Sequence, residues 1–221
     1  MSLSKKDKLQ LFKSYNIYGL TAEKFSNGRS NIEVVKAMLD GGIRIIQYRE
    51  KYKSLKEKYE ECLQIRKLTK QYGALLIVND HVDLCQMVGA DGVHLGQEDY
   101  PAKEVRKILG EDFIIGVTTH TKEQVEKAVE DGADYIGLGP VFQSFTKDKP
   151  HPPIGIEMVS WVAQNCKIPF VAIGGIKEHN LKDVLEAGAK CVSLVTEIVG
   201  SDDISQKIKE LWDIIKEFER S

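Results

Sequence analysis

The sequence predicts an α/β protein, a single-domain (β/α)8 TIM barrel, on three observations. Short apolar runs alternate with amphipathic stretches eight times along 221 residues. Each run carries Ile, Val or Leu on both parities, as parallel strands covered by helices do. A tetrapeptide opening with glycine recurs at 41 (Gly-Gly-Ile-Arg), 89 (Gly-Ala-Asp-Gly), 132 (Gly-Ala-Asp-Tyr) and 188 (Gly-Ala-Lys-Cys). Each copy ends a helical pattern and starts a strand, with two βα units between copies, which suits a barrel better than a doubly wound sheet. No Gly-x-Gly-x-x-Gly follows the first strand, which weakens a dinucleotide-binding alternative.

Strands are expected over 17–20, 43–48, 74–78, 92–95, 114–117, 135–138, 170–173 and 191–195. Helices are expected over 32–40, 54–72, 82–88, 101–109, 121–131, 156–164, 178–187 and 202–220. Ser30/Glu33, Ser54/Glu57 and Thr121/Gln124 fit the capping box, in which a hydroxyl and a later Glu or Gln satisfy two orphan amides. Glycines at 41–42, 89, 132 and 188 suit left-handed helix ends. Ile204, Ile208, Leu211, Ile215 and Phe218 form one stripe that packs the last helix on the barrel. One barrel is expected over 1–221, with a short helical extension at about 4–14.

Composition removes several function classes. Lys and Arg number 31 against 33 Asp and Glu, for a net charge of −2, so the basic footprint of a nucleic-acid binder is missing. No apolar run approaches the roughly 18 residues that a membrane helix requires. The polar, lysine-rich start from Met1 to Lys8 has no signal-peptide core, so a cytoplasmic location is expected. Cys62, Cys85, Cys166 and Cys191 are widely spaced with no C-x-x-C pair, which reads as free thiols rather than a zinc site. Oligomeric state is left open, a homo-oligomer included.

In such a barrel the chemistry sits at the carboxyl ends of the strands. Those ends carry Gln47 to Lys51, Asn79-Asp80, His94 to Asp99, Thr118 to His120, Gly139-Pro140 with Thr146-Lys147, Gly174-Gly175 and Thr196-Glu197. Three cations, Arg49, Lys51 and Lys147, thus share a rim with two carboxylates, Asp80 and Asp99. Two carboxylates plus phosphate oxygens match the oxygen preference of Mg2+, and the cations neutralise charge on a leaving pyrophosphate. The alternative for each residue is a rim salt bridge. Gly174-Gly175 and Val195-Thr196 suit a second phosphate, although two glycines also make a plain tight turn. His94 reads as a hydrogen-bonded strand-end residue. His120 reads as a general acid or base, or as a loop histidine. His81, His151 and His179 have no assignable partner. The connection from 139 to about 155 is long enough to be a functional lid. No Gly-x-Ser-x-Gly elbow is present, so nucleophilic catalysis has no candidate.

Five segments, Gln47-Tyr-Arg-Glu-Lys51, Leu76-Ile-Val-Asn-Asp80, Ala90 to Asp99, Gly132 to Pro140 and Pro169 to Ile176, together resemble thiamine-phosphate synthases. The resemblance runs from about Ile17 to Ile198. It implies a transferase joining hydroxymethylpyrimidine pyrophosphate to a thiazole phosphate, with loss of pyrophosphate before the thiazole nitrogen attacks. By resemblance, Gln47 meets the pyrimidine, Arg49, Lys51, Asn79 and Lys147 hold the pyrophosphate, and Asp80 and Asp99 bind Mg2+. Thr118 stands where the family has a serine on the pyrophosphate. Ser144 and Thr146 match hydroxyl positions of the lid. Gly174, Gly175, Val195 and Thr196 receive the thiazole phosphate.

Glu197 departs from the pattern, because a carboxylate there repels a phosphate unless it points away. Gln143-Ser144-Phe145 departs from the usual proline-rich text. Two rivals remain in play. A thiazole tautomerase of the same barrel family would use His120 and no pyrophosphate apparatus. A non-catalytic phosphate-ligand sensor would need only the pocket.

Overall fold

Alternation with period two decides which face of each strand meets the barrel axis, and period 3.6 decides which helix stripe covers it. In the computed structural model, which describes residues 3–146 and 151–220, eight parallel strands pair in sequence order. They are β1 (Gly19–Leu20), β2 (Ile45–Tyr48), β3 (Leu75–Asn79), β4 (Gly92–Leu95), β5 (Ile114–Thr119), β6 (Tyr135–Leu138), β7 (Phe170–Ile173) and β8 (Val192–Ser193). The helices are α1 (Lys5–Lys13), α2 (Asn31–Asp40), α3 (Leu55–Gln71), α4 (Val82–Met87), α5 (Ala102–Leu109), α6 (Lys122–Glu130), α7 (Ile156–Asn165), α8 (Leu181–Glu186), α9 (Val195–Val199) and α10 (Ile204–Arg220). The expected (β/α)8 barrel is the observed fold.

Two cores result. Outward strand residues such as Ile46, Leu76, Val93, Ile115 and Ile136 pack on Val34, Met38, Ile65, Val105, Val159 and Ile208 of the helices. The inner core comprises Ile45, Leu75, Ile77, Ile114, Tyr135 and Val171, with Phe12 of α1 inserted among them. Phe12 is wholly buried and lies 4.6 Å from the Tyr135 ring, so α1 plugs the amino-terminal end of the barrel. The repeated Gly-Ala-Asp turns stitch the same end. Asp91 accepts from the Leu76 amide at 2.9 Å and from both Arg66 nitrogens. Asp134 accepts from the Ile115 amide at 2.9 Å and from Arg106, and pairs with Lys5 of the plug at 2.8 Å.

Closure of the sheet is slender. Between β1 and β8 it consists of Tyr18 N–H to Val192 O at 2.9 Å, Val192 N–H to Asn16 O at 2.8 Å, and the Ile17–Val192 bridge. Beyond it, the loop after β1 straps α9. The Arg29 guanidinium donates to the carbonyls of Val199, Ser201 and Asp202, and Asn27 donates to that of Gly200.

Local differences from the sequence expectation have physical causes. The eighth strand, expected to reach 195, stops at Ser193 because the buried residues change period there: Leu194, Ile198 and Val199 recur at helical spacing and form α9. The fifth strand runs two residues further than expected, since Thr118 and Thr119 keep register with Gly137 and Leu138. The Ser30 and Ser54 capping boxes form in full. At Thr121 only half forms: its hydroxyl accepts from the Gln124 amide, but the Gln124 side chain reaches back to the His120 amide at 2.7 Å. Gly42, Gly89, Gly132 and Gly188 take positive φ, while Gly41 stays right-handed and leaves the turn to its neighbour.

Candidate active site

Inward positions change character along each strand. Toward the amino-terminal end they are apolar (Ile45, Leu75, Ile77, Ile114), and one or two strand repeats later they become Gln47, Asn79 and Thr118. The same step leads from Gly92 to His94 on β4. These residues open into a cavity of about 160 Å³ at the carboxyl end of the barrel.

The floor of that cavity is one hydrogen-bonded chain. Gln47 Nε2 donates to Tyr18 Oη at 2.9 Å, and Tyr18 Oη meets Tyr135 Oη at 2.9 Å. His94 Nδ1 lies 2.9 Å from Tyr135 Oη, and its Nε2 lies 2.9 Å from Thr118 Oγ1. Burial raises both tyrosine hydroxyls above their ordinary range, so they remain neutral donors and acceptors. Room for the Tyr135 ring comes from Gly116, where a Cβ would fall 2.1 Å from Cζ.

The loop after β2 is held residue by residue. Gln47 is 3% exposed on the inner face, and Tyr48 faces outward, donating to Glu61 at 2.7 Å. Thr21 Oγ1 donates to the Arg49 carbonyl and accepts from its amide, which fixes the backbone under the guanidinium. Glu50 accepts from the Lys51 amide at 3.0 Å and from Asn31 at 3.2 Å, tying the loop to α2. Arg49 lines the cavity, and Lys51 acts on the Asp99 carboxylate beside it.

Asp80 and Asp99 stand within hydrogen-bonding reach of each other. Asp80 takes φ +62°, an uncommon conformation outside glycine that aspartate tolerates, and its amide is tied to the His94 carbonyl at 2.9 Å. Asp99 accepts from the Gly96 amide at 2.6 Å. Burial lifts the Asp99 carboxyl above its ordinary value; the Gly96 amide opposes this, Asp80 adds to it, and Lys51 opposes it. Two facing carboxylates are an oxygen donor set for a hard divalent cation. No group of three or more His, Cys, Asp or Glu side chains able to hold a metal occurs among the described residues, so a cation here would also need substrate or water oxygens.

Across the cavity, Gly174 and Gly175 take φ +98° and +67° and pass so close to Pro140 and Phe142 that a Cβ at either would lie 2.4–2.8 Å from them. Asn180 holds this turn, accepting from the Lys177 amide at 2.7 Å and donating to the Gly175 carbonyl at 3.1 Å. Val195 and Thr196 face it from α9. Nearby, the Ser193 hydroxyl is buried with no hydrogen-bond partner among the described residues.

The comparisons with known proteins agree with one another. A family model described as thiamine monophosphate synthase matches residues 17–198. The chain belongs to the thiamine monophosphate synthase family. It is 94% identical to the thiamine-phosphate synthase of Caldicellulosiruptor saccharolyticus over the full length of both chains. It is 58% identical to that of Dictyoglomus thermophilum, over 97% of this chain and 96% of the relative. A thiamine phosphate pyrophosphorylase from Pyrococcus furiosus has the same fold, with a TM-score of 0.86 at 34% identity, covering 94% of this chain and 98% of that one.

Within this member of the synthase family, the structure brings Gln47, Arg49, Asn79, Thr118, Ser144, Thr146, Gly174, Gly175, Val195 and Thr196 to one cavity. Lys51, Asp80 and Asp99 group beside it rather than lining it. Lys147 lies outside the described residues. Glu197 points its carboxylate at Lys177, 3.0 Å away. His120 lines the cavity, donates from Nδ1 to the Gly139 carbonyl and stacks on His151 at 4.2 Å. Sequence reasoning missed Tyr18, Tyr135 and His151 as cavity residues. The first two were findable by parity, since Tyr135 faces inward on β6 and Tyr18, just before β1, shares the parity of the cavity-lining Leu20. His151 arrives by the long connection, which carries no periodic signal.

Proposed function

We propose that this chain transfers the hydroxymethylpyrimidine group from its pyrophosphate ester to the ring nitrogen of a thiazole phosphate, yielding thiamine phosphate and pyrophosphate. The observation that carries the reading is the division of one cavity and its margin. Arg49 lines one side, with Lys51 and the Asp80–Asp99 pair grouped beside it, a glycine turn lines the other, and a neutral hydrogen-bonding floor lies between them. Two anionic groups and one flat heterocycle fit that division.

In the reaction, the C–O bond to pyrophosphate breaks and its electron pair leaves with the pyrophosphate. The nitrogen lone pair of the thiazole then forms the new C–N bond. Arg49, Lys51 and Lys147 stabilise charge building on the leaving group, while Asn79 and the Thr118 hydroxyl donate to it. Gln47 has its amide nitrogen committed to Tyr18, which leaves its amide oxygen to accept from the pyrimidine. Ser144 and Thr146, whose hydroxyls lie 3.4 Å apart, help exclude water from the developing cation. The glycine turn with Val195 and Thr196 presents backbone amides and a hydroxyl to the thiazole phosphate, and orients the nitrogen for attack. No protein nucleophile is needed, consistent with the lack of an elbow motif.

Asp80 and Asp99 fit Mg2+, since an oxygen-only pair with one carboxyl driven up by burial and its neighbour's charge gains from a divalent partner. The metal would supply Lewis-acid neutralisation of the departing pyrophosphate. The reading makes the partners small molecules and the location cytoplasmic; no helix among the described residues is long and apolar enough to cross a membrane. A tautomerase would not require Arg49, Lys51 and the aspartate pair in one place, and a sensor would not require their alignment with a leaving group.

The test combines both phosphorylated substrates with the enzyme, with and without Mg2+, and assays thiamine phosphate. Metal-dependent product formation is expected. Isomerisation of the thiazole without condensation would favour the tautomerase, and binding without turnover would favour the sensor.

A further inference from the structure

The glycine-turn corner of the cavity poses a charge problem. Gly174, Gly175, Val195 and Thr196 line it, and none carries a charge. A phosphate dianion there needs a counter-charge, and the rim cations are committed to the pyrophosphate. Lys177 ends the same turn, two residues beyond Gly175, on backbone that Asn180 pins from both sides. Its Nζ donates to Thr196 Oγ1 at 2.9 Å and pairs with Glu197 at 3.0 Å. An ammonium has three N–H donors. Among the described residues these two acceptors use two of them, so one donor is left beside Thr196, which lines the cavity while Lys177 stands just behind it.

We propose that Lys177 is the specificity-determining cation for the phosphate of the acceptor substrate, held ready by Glu197. The inference rests on the reading of this corner as the seat of the thiazole phosphate. It also accounts for the carboxylate at 197. Lys177 neutralises the carboxylate, so the corner does not repel an anion, and the contacts to Glu197 and Thr196 hold the flexible lysine with its third N–H unused. The pair selects for a phosphorylated acceptor over its free alcohol, because only the phosphate gains the charge-assisted bond.

The test measures both KM values and kcat for Lys177→Ala and Glu197→Gln, with calorimetric titration of thiazole phosphate and inorganic phosphate into the same proteins. Lys177→Ala is expected to raise the acceptor KM and Kd about tenfold or more, the worth of one charge-assisted hydrogen bond, and to leave the KM for the pyrimidine pyrophosphate unchanged. Preference for the phosphorylated acceptor over the alcohol falls by the same factor. Glu197→Gln keeps an acceptor for the lysine while removing a negative charge, so it should lower the acceptor Kd. Unchanged acceptor binding in Lys177→Ala overturns the proposal, as does an equal rise in both KM values, which marks a merely structural role. Absence of thiamine phosphate with the unmodified enzyme instead overturns the proposed function, and the titrations then decide the role of Lys177 by themselves.

Discussion

Asp99→Asn should make the protein more stable without metal and less stable with it. The substitution keeps an oxygen for the Gly96 amide and removes one of two facing negative charges. Two charges about 4 Å apart interact by roughly 1 kcal/mol in water and about 4 kcal/mol at the effective dielectric of a protein surface. Both aspartates are half-buried at a solvated rim, so about 1 kcal/mol is the expected relief after screening. For a chain of this size that is a rise in Tm of about 2–4 °C. The sign with pH follows from the raised carboxyl. Its folded-state pKa lies above the ordinary 3.8, so the folded protein holds the proton more tightly. Stability contributed by Asp99 is therefore lost as pH rises from about 3.8 through the folded value. The advantage of the asparagine variant should accordingly be full at neutral pH and shrink toward pH 4. Mg2+ reverses the order: at a hundred times its Kd, a ligand bound to the folded state adds about 2.7 kcal/mol, which the variant loses. Thermal unfolding of both proteins at pH 7, with EDTA or with Mg2+, checks this. An asparagine variant that is less stable in EDTA, or an equal Mg2+ response in both proteins, refutes the reasoning.

Lys147→Ala should cost about 2–4 kcal/mol of transition-state stabilisation, the scale of one lost preorganised donor, seen as a fall of about 1.5 to 3 decades in kcat under saturating substrates. Phe12→Ala should lower stability by about 3–5 kcal/mol, because it empties the plug at the base of the barrel, and denaturant unfolding measures it. Gly116→Ala would put a methyl 2.1 Å from Tyr135 Cζ, so the ring must move and break its bonds to His94 and Tyr18. The expected outcome is a raised KM for the pyrimidine pyrophosphate with at least 1–3 kcal/mol of overpacking cost, read by kinetics and unfolding together.

Which parts of this architecture are legible in sequence depends on the range of the forces involved. Strand and helix identity follows from patterns within ten residues, so the short apolar runs Ile45 to Tyr48 and Leu75 to Asn79, buried on both faces, are visible directly. The rim is legible because barrel topology sends every strand end to the same place, which brings Arg49 and Asn79 together from different strands. The Tyr18–Tyr135–His94 chain is not, because it depends on which side chains meet across the barrel axis. Nor is the pairing of Glu197, whose partner Lys177 comes from the preceding βα loop. The change from strand to α9 at Leu194 lies between, since its helical period lasts only five residues.

The slender closure between β1 and β8 has a consequence for the loaded enzyme. Tyr18 and Leu20 line the cavity on one side of that join, and Ser193, Val195 and Thr196 on the other. A substrate touching both sides is therefore a transient staple across the least-bonded joint of the sheet. Amide exchange at Tyr18 and Val192 should slow when ligand binds, while exchange at the Asp91 and Asp134 stitches should stay as it was. Substrate would then complete the wall of the vessel that holds it.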